Sequence, residues 1–239
     1  MTPQVVALVP TYNNAAALPV VLGQVRAQGV PLLVVNDGAT DGTREILEAQ
    51  AGLEVVHHGE NRGKGEALRT GFRRALELGF THAVSLDSDG QHDPAQLPRF
   101  REALDRHPEA IIVGARDMSG ENVPWRSRLG RRLSNQGVAI LAGRLLPDTQ
   151  TGYRAYPLAT VLGLGGESTR FEFEIEILVR ALWAEVPVLC IPITVHYEEA
   201  GSRVSHFRPL RDFLRGVALD VRLLREGRAR RRQALRGGR

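Results

Sequence analysis

Short apolar runs alternate with amphipathic segments along the first half of the chain. Each run is four to six residues long, which predicts a strand rather than a buried helix. The predicted strands cover residues 5–10, 32–35, 53–57, 83–86 and 110–114, and the helices between them cover residues 14–27, 43–51, 66–78 and 94–106. Strands that alternate with helices at this spacing indicate an α/β fold, in which helices wrap a mostly parallel sheet.

The second half of the chain has a less regular pattern. It predicts helices over residues 126–145 and 210–224 and a strand over residues 188–197. Residues 171–178 alternate between apolar and acidic side chains, as in a half-buried strand, whereas the continuation to Ala184 has helical spacing. Both interpretations of that segment stay open at this point.

Polar clusters follow the predicted strands. They are Asn36-Asp37-Gly38 after the second strand, Asn61-Arg62-Gly63-Lys64-Gly65 after the third, and Asp87-Ser88-Asp89-Gly90-Gln91-His92-Asp93-Pro94 after the fourth. Ligands of open parallel sheets bind outside the carboxyl ends of the strands. We therefore expect these clusters to converge on one crevice.

The acidic cluster after the fourth strand predicts a cation site. Asp87 and Asp89 are one residue apart, and neighbouring carboxylates raise the pKa of each other because their charges repel. A divalent cation removes that cost, and oxygen donors of this kind suit Mg²⁺ or Mn²⁺. The alternative is a polar turn in which Pro94 begins a helix.

Two further clusters have the chemistry of a nucleotide site. Asp37 can accept a hydrogen bond from a nucleobase N–H, although it can also cap the next helix. The two cations and two glycines of residues 62–65 stand before a helix N-terminus, which suits phosphate. They match neither a Walker loop nor a dinucleotide fingerprint. Together the clusters suggest a nucleoside diphosphate held through a metal ion.

Composition adds a compartment and an uneven charge. The single cysteine, Cys190, excludes an internal disulfide and suits a reducing cytosol. No apolar run approaches the roughly 18 residues of a membrane-spanning helix, and we expect no secretion signal. Twelve arginines and three acidic residues give residues 203–239 a net charge of +9, against +4 for the whole chain. This asymmetry indicates an anionic partner, either nucleic acid or a membrane surface.

The predicted C-terminal helix has an apolar stripe with arginines beside it. The stripe comprises Leu210, Phe213, Leu214, Val217, Val221 and Leu224, flanked by Arg211, Arg215, Arg222 and Arg225. Such a helix suits a membrane interface, and the alternative is packing against the domain. We expect a mixture, in which the first turns pack on the domain and the remainder contacts lipid.

The ordered motifs resemble those of family 2 glycosyltransferases with the GT-A fold. The likeness is carried over about residues 5–215 by Val9-Pro10-Thr11-Tyr12-Asn13, residues 35–43, residues 61–65 and residues 87–94. Within the family, the chain is most similar to the dolichol- or polyprenyl-phosphate sugar transferases, a likeness continued by residues 151–154, 173–176 and 205–209. The family often has Asp at the position of Asn36 and Glu at the position of Asn14.

The resemblance implies roles for individual residues. Asp89 and Gln91 would hold the metal, Mg²⁺ or Mn²⁺, and Ser134 and Arg203 would bind the acceptor. The implied donor-binding residues are Pro10, Tyr12, Asn13, Asp37, Lys64, Asp87 and Ser88. The implied catalytic residues are Asp89, Asp93, Arg116, Arg131 and Arg154. A GT-A domain would cover residues 1–203, followed by a basic amphipathic helix and tail over residues 204–239.

The resemblance also implies a reaction. It is the metal-dependent, inverting transfer of a sugar from GDP-mannose or a UDP-sugar to polyprenyl or dolichyl phosphate. The enzyme would be cytoplasmic and peripherally associated with the inner face of a membrane, with its tail on anionic lipid. A soluble or glycan hydroxyl is the alternative acceptor and would require a base, for which Asp93, Glu174 and Glu176 are candidates.

A nucleic-acid-binding protein with a vestigial nucleotide fold is a more distant alternative. Few aromatic residues interleave with the arginines of the tail, and no nucleic-acid-binding motif is present. We therefore expect no nucleic-acid partner.

Overall fold

Seven strands form one sheet at the centre of the molecule. In the computed structural model, which describes residues 2–117, 125–195 and 209–237, the strands are β1 (Val5–Thr11), β2 (Leu32–Asn36), β3 (Glu54–His57), β4 (His82–Ser85), β5 (Ile111–Arg116), β6 (Arg154–Pro157) and β7 (Val188–Ile193). Their order across the sheet is β3-β2-β1-β4-β6-β5-β7. Strand β6 is antiparallel to both neighbours, and the other pairs are parallel. The predicted α/β fold with a mostly parallel sheet is thus confirmed.

Helices cover both faces of the sheet. They are α1 (Leu18–Arg26), α2 (Thr43–Glu48), α3 (Lys64–Glu77), α4 (Leu97–Arg106), α5 (Trp125–Ala142), α6 (Leu158–Gly163), α7 (Glu172–Trp183) and α8 (Pro209–Gly237). Successive residues of a strand point to opposite faces, so Ala7 and Val9 pack with α1, α2 and α4, whereas Val6 and Leu8 pack with α3, α5, α6, α7 and α8. Burial on both faces explains why the strands read as continuous apolar runs.

The antiparallel strand β6 brings a loop to the functional edge of the sheet. Its first residue, Arg154, is in register with Ser85 at the end of β4 and with Val113 on β5. Because β6 runs against its neighbours, the loop that precedes it lies at their carboxyl ends. Residues 148–153 therefore contact Lys64 after β3, Asp87 after β4 and Arg116 at the end of β5. Neither β6 nor α6 was predicted.

The alternating segment at residues 171–178 is helical, so the strand interpretation is wrong. Phe173, Ile177 and Ala181 share the inner face of α7 at helical spacing, and all three are buried in the core. Glu174 and Glu176 are buried as well, and cations from other elements, Lys64 and Arg222, pair with them. The acidic alternation therefore does not mark a solvent-exposed face.

Helix α8 packs on the domain through part of its length. Leu219 and Leu223 are buried in the core, whereas Val217, Val221 and Leu224 of the predicted stripe are partly exposed. The predicted domain boundary at residues 203 and 204 lies outside the described residues, and so does Arg203. Within the described residues, no helix combines the length and the apolar character that a bilayer crossing requires.

Candidate active site

A buried ammonium group joins two carboxylates at the carboxyl edge of the sheet. Lys64 Nζ lies 2.5 Å from Asp87 Oδ1 and 2.9 Å from Glu174 Oε2. Burial alone would lower the pKa of Lys64, but the two carboxylates outweigh it and raise the pKa. Burial alone would raise the pKa of Asp87, but Lys64 outweighs it and the pKa is lowered. Both groups are therefore charged at neutral pH.

The loop before β6 lies directly against this ion pair. A Cβ atom at Gly152 would be 2.5 Å from Lys64 Nζ and 2.6 Å from Asp87 Oδ2, so the ends of these side chains would have to shift. The Ser85 hydroxyl on β4 donates to the Gly152 carbonyl at 2.8 Å and holds the loop in place. A side chain at residue 152 would therefore displace the ion pair from its observed position.

His92 supports the acidic loop as a neutral side chain. Its Nδ1 accepts the backbone N–H of Asp87 at 3.2 Å, and its ring packs on Tyr153 with centroids 5.2 Å apart. Burial lowers the pKa of His92 to about 4. The 3.8 Å distance from Nδ1 to Asp87 Oδ2 is therefore not an ion pair at neutral pH.

The remaining acidic residues of the loop, Asp89 and Asp93, each accept a backbone N–H. Asp89 Oδ1 accepts the backbone N–H of Gln91 at 3.0 Å, and burial together with the charge of Asp87 raises the pKa of Asp89 to about 6. Asp93 caps the turn at Pro94–Gln96 by accepting the N–H of Ala95 at 2.9 Å. Among the described residues, no group of three or more His, Cys, Asp or Glu side chains could hold a metal by itself. A cation at Asp89 and Gln91 would need further oxygens from a ligand, as Mg²⁺ does in phosphate-binding sites.

Asp37 anchors the loop that leads into α3. Its Oδ1 accepts the Arg62 N–H at 2.9 Å and contacts His58 Nδ1 at 2.7 Å, while its Oδ2 accepts the Gly63 N–H at 2.8 Å. The carboxylate is buried, and both oxygens are engaged within the protein. These contacts fix the backbone just before Lys64. The predicted contact between Asp37 and a nucleobase stays a prediction.

The predicted donor residues at the end of β1 lie beside the segments that follow β2 and β4. Pro10 on β1 is in register with Val35 on β2, and Tyr12 follows β1 directly. Asn13 Oδ1 accepts the backbone N–H of Thr40 at 2.7 Å. The Asn14 amide donates to the Ser88 hydroxyl at 2.8 Å, a bond that the carboxylate of an ionised Glu could not donate.

A second charged cluster forms where β5 meets α5. The Arg116 guanidinium binds Asp148 with Nε to Oδ2 at 2.7 Å and Nη2 to Oδ1 at 3.0 Å. Burial alone would raise the pKa of Asp148, but Arg116 outweighs it and lowers the pKa. Arg131 Nη1 donates to the Arg116 carbonyl at 3.0 Å, and the Ser134 hydroxyl lies 2.8 Å from the hydroxyl of Thr149. The structure thus brings Arg116, Arg131 and Ser134 together.

Asp148 was missed in the sequence, although it begins the polar run that ends at Arg154. Its side chain is fully buried against Arg116, whose charge also contributes to the lowered pKa of Asp87. The loop before β6 contacts both clusters, through Gly152 and through Asp148, at the carboxyl edge of the sheet. We call this edge, with its two clusters, the crevice.

The guanidinium of Arg154, one of the implied catalytic residues, is bound within the protein. Its side chain is fully buried and donates to three backbone carbonyls. The bonds run from Nε to Thr151 at 2.7 Å, from Nη1 to Glu174 at 2.5 Å and from Nη2 to Thr149 at 2.8 Å. Arg154 therefore ties the loop before β6 to α7.

Glu176 lies away from the crevice, which removes it as a candidate base. Its carboxylate accepts the backbone N–H groups of Glu167 and Ser168, the latter at 2.8 Å. It also pairs with Arg180 at 2.8 Å and with Arg222 of α8 at 2.9 Å. Burial alone would raise the pKa of Glu176, but these hydrogen bonds outweigh it and lower the pKa.

Comparison with known proteins identifies the family of the chain. Residues 6–160 match the sequence profile of glycosyl transferase family 2. The chain belongs to this family.

Curated relatives match most of the chain. An undecaprenyl-phosphate mannosyltransferase of Micrococcus luteus is 33% identical over 212 residues, which cover 83% of this chain and 86% of the relative. A polyprenol monophosphomannose synthase of Mycolicibacterium smegmatis is 31% identical over 218 residues, which cover 85% and 82% of the two chains. The chain is thus similar to polyprenol-phosphate mannosyltransferases along nearly its whole length.

Known structures share the fold at low sequence identity. Glucosyl-3-phosphoglycerate synthase of Mycobacterium tuberculosis, in complex with Mn²⁺ and UDP-glucose, superimposes with a TM-score of 0.66 at 20% identity. The alignment covers 93% of this chain and 77% of that enzyme. At this identity the likeness establishes the fold alone.

Proposed function

We propose that the protein transfers a hexose from a nucleotide sugar to polyprenyl phosphate, with inversion at the anomeric carbon. The observation that carries the proposal is the similarity over more than four-fifths of the chain to two relatives named for polyprenyl-phosphate mannosylation. Mannose from GDP-mannose is therefore the first donor to test, and a UDP-sugar is the second. The crevice supports the proposal because it combines cations for phosphate groups with carboxylates for a metal.

Lys64 and the loops around it would bind the donor. The Lys64 ammonium lies at the N-terminus of α3, where backbone N–H groups favour phosphate. Asp87 and Ser88 follow β4 beside it, and Pro10, Tyr12, Asn13 and Asp37 border the same edge of the sheet. These residues would orient the nucleotide so that the anomeric carbon faces the acceptor side.

Asp89 and Gln91 would hold Mg²⁺ or Mn²⁺. Their oxygens are the ligand type that these ions prefer, and the raised pKa of Asp89 reflects a negative charge that a cation would stabilise. When bound, such an ion stabilises the negative charge that develops on a leaving diphosphate.

The proposed acceptor is a phosphate, an anion that needs no deprotonation before it attacks. A phosphate oxygen attacks the anomeric carbon, forms the new glycosidic bond and displaces the nucleoside diphosphate, whose oxygen keeps the bonding electron pair. Two anions about 4 Å apart repel by about 4 kcal/mol at an effective dielectric constant of about 20. Arg131 and Ser134 would offset this repulsion, with Arg116 beside them.

A hydroxyl acceptor is the second candidate, because one buried carboxylate oxygen is available as a base. Glu174 Oε1 has no hydrogen-bond partner among the described residues, although Oε2 pairs with Lys64. Asp93, which is partly exposed, is the other candidate base. A hydroxyl must lose its proton during attack, so one of these carboxylates would then be indispensable.

The place of action that we propose is the cytoplasmic face of a membrane. The relatives are named for lipid-linked acceptors, and the basic C-terminal region would be attracted to anionic lipid. The single cysteine suits a reducing compartment.

A transfer assay in detergent tests the reaction. Radiolabelled GDP-mannose or UDP-glucose is incubated with undecaprenyl phosphate, with Mg²⁺, Mn²⁺ or EDTA, and the label in the organic phase is counted. We expect metal-dependent transfer that Asp89→Ala abolishes, whereas Asp93→Ala preserves donor binding. Transfer to a soluble glycan but not to the lipid would contradict the proposal.

A further inference from the structure

Exposed apolar side chains are concentrated on two helices. Of the twelve large hydrophobic residues that are exposed in the described residues, eight lie on α5, just after it or on α8. Ile140, Leu133 and Leu129 on α5 are 71%, 53% and 47% exposed. Single exposed apolar residues are normal on a protein surface, whereas a group of them marks an interaction site.

The apolar rows of the two helices meet along one groove. Ile140 from α5 and Leu224 from α8 line the same cavity of about 500 Å³, whose floor includes Leu141, Trp183 and Leu223. Val217 and Val221 precede Leu224 on the same side of α8, at a helical spacing of four and seven residues from Val217. The exposed side chains of both helices therefore form one surface, the α5–α8 face, which comprises Leu129, Leu133, Ile140, Val217, Val221 and Leu224.

Arginines border this face. Helix α5 contains four arginines and no acidic residue, and one of these, Arg131, points to Arg116 instead. Residues 215–230 of α8 contain five arginines and two acidic residues, and one of these arginines, Arg222, pairs with Glu167 and Glu176. Arg132 is exposed next to Leu133, and Arg228 lines the groove. Arg230 stacks over the ring of Trp183 at 5.4 Å, at another wall of the groove.

We propose that the α5–α8 face docks on an anionic lipid bilayer. Apolar side chains that insert at the interface, with arginines beside them that contact lipid headgroups, are the features of a helix lying on a membrane. Helix α5 was not part of the predicted membrane-contacting segment, which was confined to the C-terminal region.

A second copy of the chain fits this face less well. In a twofold-symmetric dimer the same patch meets itself, so the arginines of one copy would face the arginines of the other. A bilayer with anionic headgroups offers the opposite charge. The positive charge of the face therefore favours an anionic bilayer over a second copy of the chain.

The proposed docking also agrees with the position of the acceptor side. Arg131 and Ser134 project from α5 toward Arg116 and Thr149, while Leu129 and Leu133 of the same helix are exposed. One helix would thus contact lipid on one side and the acceptor phosphate on the other. This functional link rests on the proposed function, whereas the docking itself does not.

Sedimentation with vesicles tests the face directly. The full-length protein is mixed with vesicles of phosphatidylcholine containing phosphatidylglycerol, and with vesicles of phosphatidylcholine alone. We expect Ile140→Glu to reduce binding to the anionic vesicles about tenfold or more, because it places a charge in the interface. Val20→Glu is the matched control, since Val20 is 61% exposed on α1, at the opposite face of the sheet. It should leave vesicle binding unchanged.

The arginines are tested by charge reversal. Arg132→Glu combined with Arg228→Glu should weaken binding to anionic vesicles, and Arg99→Glu combined with Arg101→Glu on α4 is the matched control. Thermal melting of each variant establishes that it is folded. Wild-type binding by Ile140→Glu would overturn the proposal, as would equal binding of the wild type to neutral and anionic vesicles.

Two further measurements separate the remaining outcomes. A dimer in sedimentation equilibrium that Ile140→Glu dissociates, with vesicle binding intact, would replace lipid by a second copy. Transfer to undecaprenyl phosphate in detergent micelles reports on the proposed function independently of docking. Its absence in the wild type would refute that function, while the vesicle result would still decide the docking surface.

Discussion

Two glutamates of α7, only two residues apart, have different hydrogen-bond partners. Glu174 faces the crevice, where one oxygen pairs with Lys64 and the other has no hydrogen-bond partner among the described residues. Glu176 faces α8 and its loop, and its two oxygens accept from two backbone amides and two arginines. Both side chains are buried. Burial alone therefore does not distinguish the two carboxylates, whereas the number of oxygens with hydrogen-bond partners does.

The largest expected effect comes from removing the cation of the crevice cluster. Lys64→Met keeps the buried stem but deletes the charge beside Asp87 and Glu174. We expect the transfer rate to fall about 10³-fold, as when one electrostatic donor is removed from a catalytic site. Initial rates in the detergent assay measure this effect, with binding of the nucleotide sugar followed by calorimetry. Transfer at the wild-type rate would show that the crevice cluster is structural, like that of Glu176.

Removing the carboxylate of the other cluster should instead lower stability. Glu176→Ala leaves Arg180 and two backbone amides without their acceptor, and it detaches Arg222 from α7. We expect the free energy of unfolding to fall by about 3 kcal/mol, as for other buried pairs that lose one partner. Denaturant titration measures the loss. A variant that is as stable as the wild type but cannot bind donor would show that Glu176 has a functional role and not a structural one.

The same cluster should make stability depend on acidity. The folded-state pKa of Glu176 lies below its ordinary value of 4.5, so its ion pairs stabilise the protein above that pH and are lost as the pH falls through the folded-state pKa. Glu176→Gln removes the titrating group. The stability difference between wild type and variant should therefore be constant near neutrality and shrink as the pH drops below 4.5 toward the lower folded-state pKa. Thermal melts between pH 7 and 3 measure this difference in stability. A difference that does not change with pH would contradict the prediction.

The smallest effect separates the two acceptor classes. Glu174→Gln retains the shape of the side chain and a carbonyl oxygen for Lys64. With a phosphate acceptor no proton is removed, so we expect transfer to change by less than about threefold. The detergent assay measures the rate, and Asp93→Asn provides the parallel test at the other candidate base. A loss of several orders of magnitude in either variant would indicate a hydroxyl acceptor.

The regular half of the fold and the motifs at its strand ends could be predicted because their signals are local. An apolar run followed by Asp87-Ser88-Asp89 carries both the strand and the acidic loop within a few residues. The glutamates of α7 could not be assigned in this way. Their partners, Lys64 and Arg222, are distant in the sequence, so the pattern could not distinguish a solvated face from a buried ion pair.

Strand β6 and the contacts of Arg154 could not be predicted for a related reason. Four residues that begin with an arginine give no strand signal. The carbonyls of Thr149, Thr151 and Glu174 come within reach of the buried guanidinium when the chain folds. An arginine beside glycine and tyrosine has the same sequence appearance whether it binds a ligand or the backbone. Only its environment in three dimensions decides between the two.

The contact between Gly152 and the ion pair has a consequence for protein engineering. Any side chain at this position would push the ends of Lys64 and Asp87 out of their observed positions, so a saturation library at residue 152 should favour glycine. Gln150, two residues earlier in the same loop, is exposed, so its replacement should disturb the ion pair less. Efforts to vary this loop should therefore diversify residue 150 and keep residue 152 fixed.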